Sequence, residues 1–83
     1  MKREDAELIV RAAYKVSYIL DENVRQMQAI LNDDEFSKHR IRIGTVLAEV
    51  LEQLIEPAVE GHPDMLPTSK EGWQAFRDEI FQK

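Results

Sequence analysis

The fold is decided by residues 4–32, EDAELIVRAAYKVSYILDENVRQMQAILN, a stretch that contains neither glycine nor proline. Its apolar residues recur at steps of three and four, which is the spacing of one face of an α-helix. The row consists of Ala6, Ile9, Ala13, Val16, Leu20, Asn23, Met27 and Ile30. The pattern predicts one long amphipathic helix over about residues 4–32, unless the polar run Asp21-Glu22-Asn23 breaks it.

A second helix is predicted over about residues 34–60. Asn32 and the three acidic residues after it are typical of a helix N-terminus, where a side-chain oxygen caps free amides and negative charge is favoured. The apolar row of this helix includes Leu47, Val50 and Leu54. Pro57 is expected to kink the helix, because its ring clashes with the preceding turn and it has no N–H to donate.

The second helix is expected to end at Gly61, where a C-cap favours a residue that can adopt positive φ. A loop over residues 61–68 follows, and a third helix is predicted over about residues 69–82. Thr68 and Glu71 fit a capping box at its start. This helix is expected to dock on the first through two groups of residues, the stripe Trp73, Phe76, Ile80 and Phe81 and the pair Tyr14 and Tyr18.

The predicted fold is all-α, a long antiparallel helical hairpin plus a short C-terminal helix. A chain of 83 residues has a thin core, and without cysteine it has no disulfide to reinforce it. The hairpin presents more apolar surface than the third helix covers, so a homodimeric bundle of four-helix type is expected. Its shared face is predicted to comprise Ile9, Ala13, Val16, Leu20, Asn23, Met27, Ile30, Leu47, Val50 and Leu54.

Asn23 is the polar member of this face, and two interpretations of it remain open. In a dimer seam it would fix the alignment of the helices at some cost in stability. Alternatively, it lies at the edge of the face and contacts water. A helix that breaks at Asn23 would instead produce a compact four-helix monomer.

Charge excludes some partners and favours others. The formal net charge of −5 argues against nucleic acid, since binding to phosphate backbones requires clustered Lys and Arg. No window is apolar enough to span a membrane, and no signal peptide is evident, so a soluble cytoplasmic protein is expected. Within the hairpin, the acidic stripe Glu49, Glu52, Glu56 and Glu60 is expected to face the half of the first helix that carries Arg3, Arg11 and Lys15.

The tripeptide His62-Pro63-Asp64 resembles the signature loop of J-domain co-chaperones, and Pro67, Lys70-Glu71 and Phe76 follow at similar spacings. The resemblance covers residues 62–80 and implies that His62 and Asp64 stimulate the ATPase of a partner heat-shock chaperone. The helix that enters the loop departs from the family, because it carries four acidic residues and no basic one over residues 49–60.

The segment from Glu60 to Asp64 also resembles the loop before the third helix of colicin-type immunity proteins, which are acidic helical inhibitors of nuclease toxins. This resemblance implies a basic toxin or enzyme as partner, although the paired tyrosines expected after the loop are missing. A third interpretation is structural: Gly61 ends a helix, Pro63 blocks its extension and Asp64 bonds local amides.

Glu35 and His39 are spaced one helical turn apart and offer two ligands for a metal ion, although an ordinary salt bridge is the favoured interpretation. No cysteine nucleophile and no glycine-rich phosphate loop is present. The sequence therefore predicts no enzymatic activity, no cofactor and no metal. It favours a non-catalytic protein–protein interaction module, a small regulator or adaptor that acts as a homodimer on an unidentified protein. The alternatives are an acidic inhibitor and a J-like co-chaperone.

Overall fold

The computed structural model describes residues 1–81, and all the regular structure among them is helical. Four α-helices follow one another: α1 (Arg3–Gln28), α2 (Asp33–Val50), α3 (Glu56–Val59) and α4 (Lys70–Phe81). A π-helical turn (Leu51–Ile55) joins α2 to α3, and a 3-10 turn (Pro63–Met65) precedes α4. The prediction of an all-α chain is confirmed for these residues. Gln82, the expected last residue of the third helix, lies outside them.

Helix α1 runs without a break through Asn23 and ends at Gln28, four residues before the end expected from the apolar pattern. The amide of Ile30 donates to the carbonyl of Met27, three residues back, which tightens the chain into a turn. Asn32 then caps α2: its side chain accepts from the amide of Glu35 at 2.8 Å, and Glu35 accepts from the amide of Asn32 at 3.3 Å. This reciprocal capping box turns the chain back, so that α2 packs along α1.

Pro57 is accommodated by the π turn. In a continuous α-helix its ring would meet the carbonyl of Gln53 and no amide would be available to bond it. In the structure the amide of Glu56 donates to the carbonyl of Leu51, five residues back, which inserts one extra residue into the helical repeat. The residues beyond the insertion are therefore rotated around the axis relative to a uniform helix.

This rotation changes which residue reaches the core of the single chain. The apolar row of α2 continues from Val50 to Ile55, five residues on, and then to Ala58. Ile55 is 4% exposed, whereas Leu54 is 45% exposed. The spacing of 100° per residue used to place Leu54 does not hold through the π turn, and its place in a dimer face stays a prediction.

The buried core lies at the end of the hairpin that contains both α3 and the start of α1. Ala6, Val10 and Ala58 form its centre, and the residues that pack against it are Ile9, Tyr14, Val59, Met65, Leu66 and Phe76. Helix α2, by contrast, contains no buried residue over its 18 positions. The described chain measures 45 × 24 × 23 Å, so it is elongated along the hairpin.

Helix α4 docks on α1 through aromatic rings, which confirms the expected contact. Tyr14 lies 5.5 Å from Trp73 and 5.4 Å from Phe76 between ring centroids, and Tyr18 lies 5.4 Å from Phe81. The tilted and edge-on geometries are those that aromatic quadrupoles favour. Burial, with a smaller contribution from Tyr18, raises the pKa of the Tyr14 hydroxyl.

Two expectations about helix ends are wrong. The hydroxyl of Ser69, not that of Thr68, accepts from a free amide of α4, that of Gly72 at 2.9 Å. Gly61 does not adopt positive φ, and neither does any other glycine of the described chain. The helix ends instead when the amide of His62 turns back to the carbonyl of Val59 at 2.9 Å, a bond that any residue can make.

Ile55→Ala and Leu54→Ala test the register set by the π turn. Ile55→Ala should lower the free energy of unfolding by roughly 2–4 kcal/mol, because it leaves a cavity in the core. Leu54→Ala should cost at most about 0.5–1 kcal/mol, because the side chain is already half in solvent. Urea unfolding followed by circular dichroism measures both. Equal losses, or a larger loss for Leu54→Ala, would show that α2 continues in a uniform α register.

Candidate interaction surface

The hairpin has two long sides, and α4 covers one of them. Ser17 and Leu47 line a groove on the covered side together with Tyr14 and Trp73. Val16 and Val46 each precede one of these residues, so each lies about 100° further around its own helix. In an antiparallel pair, one step back along each chain moves both side chains toward the same side of the hairpin. Val16 and Val46 therefore belong to the side opposite α4.

Val16 and Val46 also lie at the same level of the hairpin. A side-chain contact fixes the alignment: Asn23 Oδ1 and His39 Nε2 are 2.7 Å apart across the two helices. Two turns back along α1 from Asn23 is Val16, and two turns forward along α2 from His39 is Val46. The two valines are consequently neighbours across the hairpin.

We call the surface around them the open face, and define it as Ala12, Val16, Ile19, Val46 and Val50. Val16 is 45% exposed, Val46 46% and Ile19 61%. Apolar side chains scattered singly on a surface are ordinary, but these are contiguous and straddle two helices. An open groove of about 450 Å³ begins at Ile19 and Asn23 and reaches around α1 to Tyr18 and Phe81, on the side that α4 covers.

The residues predicted to form one shared face are divided by the structure between the core and solvent. Ala13 is buried, and Val16, Ile30 and Leu54 are exposed. The others are half-buried: Ile9, Leu20, Asn23, Met27, Leu47 and Val50. Ile30 lies in the turn and not in a helix.

Ile19 is a member of the open face that the sequence analysis missed. The signal was present, because Ile9, Val16, Asn23 and Ile30 repeat every seven residues, with Ala12 and Ile19 at the intermediate positions. This is the a and d spacing of a seam between helices.

Asn23 has a partner within its own chain, which neither interpretation anticipated, and its place in a dimer seam stays a prediction. With Oδ1 as acceptor, His39 donates from Nε2–H. Both side chains are half-buried, and their bond links α1 to α2 in the half of the hairpin that lacks a core.

This bond also removes His39 from the pair expected with Glu35. The carboxylate of Glu35 instead accepts from the amide of Asn32 in the capping box. No cluster of three or more residues suited to holding a metal ion occurs among residues 1–81.

The acidic stripe Glu49, Glu52, Glu56 and Glu60 is exposed throughout. Two of the basic residues expected to face it pair elsewhere. Arg11 pairs with Glu79 of α4 at 2.8 Å, and Arg3 pairs with Asp64 at 3.2 Å. Within the described part of the chain, no residue of the stripe takes part in an ion pair.

The loop that contains His62 and Asp64 is fastened to the start of the chain. His62 Nε2 lies 3.1 Å from the backbone oxygen of Met1, and Arg3 donates to both carboxylate oxygens of Asp64 at 3.2 Å. The hydrogen bond from Arg3, with smaller contributions from a backbone amide and from His62, lowers the pKa of Asp64. These contacts support the structural interpretation of the loop, since both side chains have partners within the chain.

Among residues 1–81, no helix combines the length and the apolar composition that crossing a bilayer requires.

The pair between Arg3 and Asp64 predicts a dependence of stability on pH. Because folding lowers the pKa of Asp64, the pair stabilises the fold above the ordinary value of 3.8, and the contribution disappears as pH falls below it. Asp64→Asn should therefore lower the Tm slightly at pH 7 and leave it unchanged near pH 2.

Arg3→Gln is the matched control, because it removes the other half of the same pair. It should reproduce the pH-dependent loss, and the double variant should lose no more than either single one. Additive losses would mean that the two side chains act separately.

Comparison with protein-family models, with curated proteins and with solved structures found no match.

Proposed function

We propose that this chain is a non-catalytic protein–protein interaction module that works as a homodimer. Two hairpins pack through their open faces into a bundle of four long helices, and each α4 stays on the outside. The observation that carries the proposal is the absence of any buried residue in α2.

Helix α2 needs a further packing surface for its stability. Most of the stability of a helix in a folded protein comes from packing of its apolar face against other elements. The apolar side chains of α2 reach α1 on one edge only, and Val46 remains 46% exposed. A second hairpin on the open face would cover Val16, Ile19 and Val46 together.

The surface of the chain is large enough to supply such an interface. A compact monomer of 9.7 kDa is expected to expose roughly 5100 Å². This chain exposes 6109 Å². The difference, about 1000 Å², is comparable with the roughly 800 Å² that each partner buries in a standard interface.

The described side chains provide no evident nucleophile or general base, which supports a non-catalytic role. The chain has no cysteine nucleophile. Its two histidines are engaged with Asn23 and with the backbone of Met1, which leaves neither as an evident general base.

An acidic inhibitor is the second candidate, and the unpaired stripe Glu49, Glu52, Glu56 and Glu60 supports it. Four carboxylates without ion pairs in the described chain create a negative field that would steer a basic partner. The stripe is on α2 and its continuation, and it is not part of the open face. Glu56 and Glu60 lie beyond the open face, so binding of a basic protein there is compatible with dimerisation.

Absolute mass by light scattering behind a sizing column tests the homodimer. A mass near twice 9.7 kDa is expected at micromolar concentration. Val46→Asp should weaken the dimer by roughly tenfold or more, because it places an unpaired charge in the interface. Ile41→Asp is the control: Ile41 is 64% exposed and lies on the outer surface of α2, so its substitution should leave the mass unchanged. A mass of 9.7 kDa at every concentration would refute the proposal.

A comparison of two charge variants tests the acidic stripe. One variant carries Gln at the four stripe positions, and the other carries amides at four exposed acidic positions elsewhere, Glu4, Asp5, Glu71 and Asp78. Both change the net charge by four. Binding to an oligolysine peptide, measured at low and high salt, should weaken several-fold more in the stripe variant. Equal weakening would show that only net charge matters.

A further inference from the structure

Charge is segregated along the edge of α2 that borders the open face. A charged row runs beside Val46 at steps of four and three residues. It consists of Lys38, Arg42, Thr45, Glu49 and Glu52. The basic residues lie toward the hairpin turn and the acidic residues toward Pro57. Arg42 and Glu49 are exposed, and neither forms an ion pair within residues 1–81.

Two hairpins can stack face to face with two-fold symmetry in two ways. In one, the two turns lie at the same end of the bundle and α2 covers α1 of the partner. In the other, the turns lie at opposite ends and α2 runs antiparallel over α2 of the partner. The two arrangements bring different charges together along the rim of the interface.

We propose that the hairpins dimerise with their turns at opposite ends, so that α2 crosses the partner's α2 at Val46. This inference rests on the proposed homodimer. The two-fold axis passes between Thr45 and Val46. Arg42 lies as far before that point as Glu49 lies after it, so Arg42 of each protomer meets the partner's Glu49. The charged row is complementary to its own copy, so the two-fold symmetry forms the pair of Arg42 with Glu49 twice.

The opposite arrangement would set Glu49 near the partner's Lys15, but it offers Arg42 only a carboxylate that is already paired. It sets Arg42 beside Glu22 of the partner, whose carboxylate already accepts from Arg25 at 3.3 Å. Arg25 also bonds Asp21 at 2.9 Å, so one guanidinium already serves both carboxylates. Arg42 would have to compete with an existing pair, whereas Glu49 offers a carboxylate without one.

Pulsed electron paramagnetic resonance on a single spin label measures the orientation. The chain has no cysteine, so Ile30→Cys introduces one label at an exposed position in the turn. Turns at opposite ends place the two labels roughly 40 Å apart, given 1.5 Å per residue. Turns at the same end place them within about 20 Å, given helix spacings of 8–10 Å. A distance of the second kind would overturn the orientation and leave the homodimer intact.

Charge reversal tests the contact itself. Arg42→Glu and Glu49→Arg should each weaken the dimer several-fold at low salt, because each sets like charges together at both sites. An equimolar mixture of the two variants should form a heterodimer, since every contact then joins a carboxylate to a guanidinium. The mixture would gain nothing in the opposite arrangement, where the carboxylate introduced by Arg42→Glu would face Glu22. Light scattering of each variant and of the mixture distinguishes these results.

The outcomes separate the orientation from the proposed function. A dimeric wild-type chain whose mixed variants stay monomeric refutes the pairing of Arg42 with the partner's Glu49. A wild-type chain that is monomeric at every concentration refutes the homodimer, and the orientation with it.

Discussion

The missing amide of Pro57 is the constraint on which the arrangement of the core depends. A proline at this position prevents a continuous α-helix, and the chain responds with a π turn that shifts the apolar row from Leu54 to Ile55. Ile55 and Ala58 are then buried, and Ala58 joins Ala6 and Val10 at the centre of the core. Two members of that centre are alanines, and side chains this small allow the helices to approach closely. One backbone defect thus selects the residues that hold the two sides of the hairpin together.

The two ends of the hairpin are stabilised by different means. At the core end, α4 adds the rings of Trp73 and Phe76 to Tyr14, and ion pairs from Arg3 and Arg11 fasten the loop and α4 to α1. At the turn end, the described contacts are a capping box and the bond between Asn23 and His39. The open face begins where the buried core stops. Its exposure and the lack of buried residues in α2 both follow from the position of the core at one end of the hairpin.

The sequence predicted the features that depend on periodicity and failed on those that depend on backbone detail or on distant packing. Trp73 and Phe76 share a helical stripe, so their contact with α1 could be expected. Thr68 and Ser69 are adjacent and both carry a hydroxyl, so the sequence does not show which of them caps α4. The burial of Ile55 and not Leu54 within the single chain depends on the π turn, which periodicity does not reveal. The pairs of Arg11 with Glu79 and of Arg3 with Asp64 span more than 60 residues, and no local pattern carries that information.

The uneven core has a consequence for how the chain opens in its native state. Segments with few buried contacts unfold locally at a lower free energy than the segments that define global stability. The first half of α2 and the facing part of α1 belong to the first kind, and the helices around Val10 and Ala58 to the second. Backbone amides should therefore exchange with solvent in a gradient along the hairpin, fastest beside the turn and slowest beside α3. A partner that covers the open face would reduce that gradient, because it would protect the amides that the chain alone protects least.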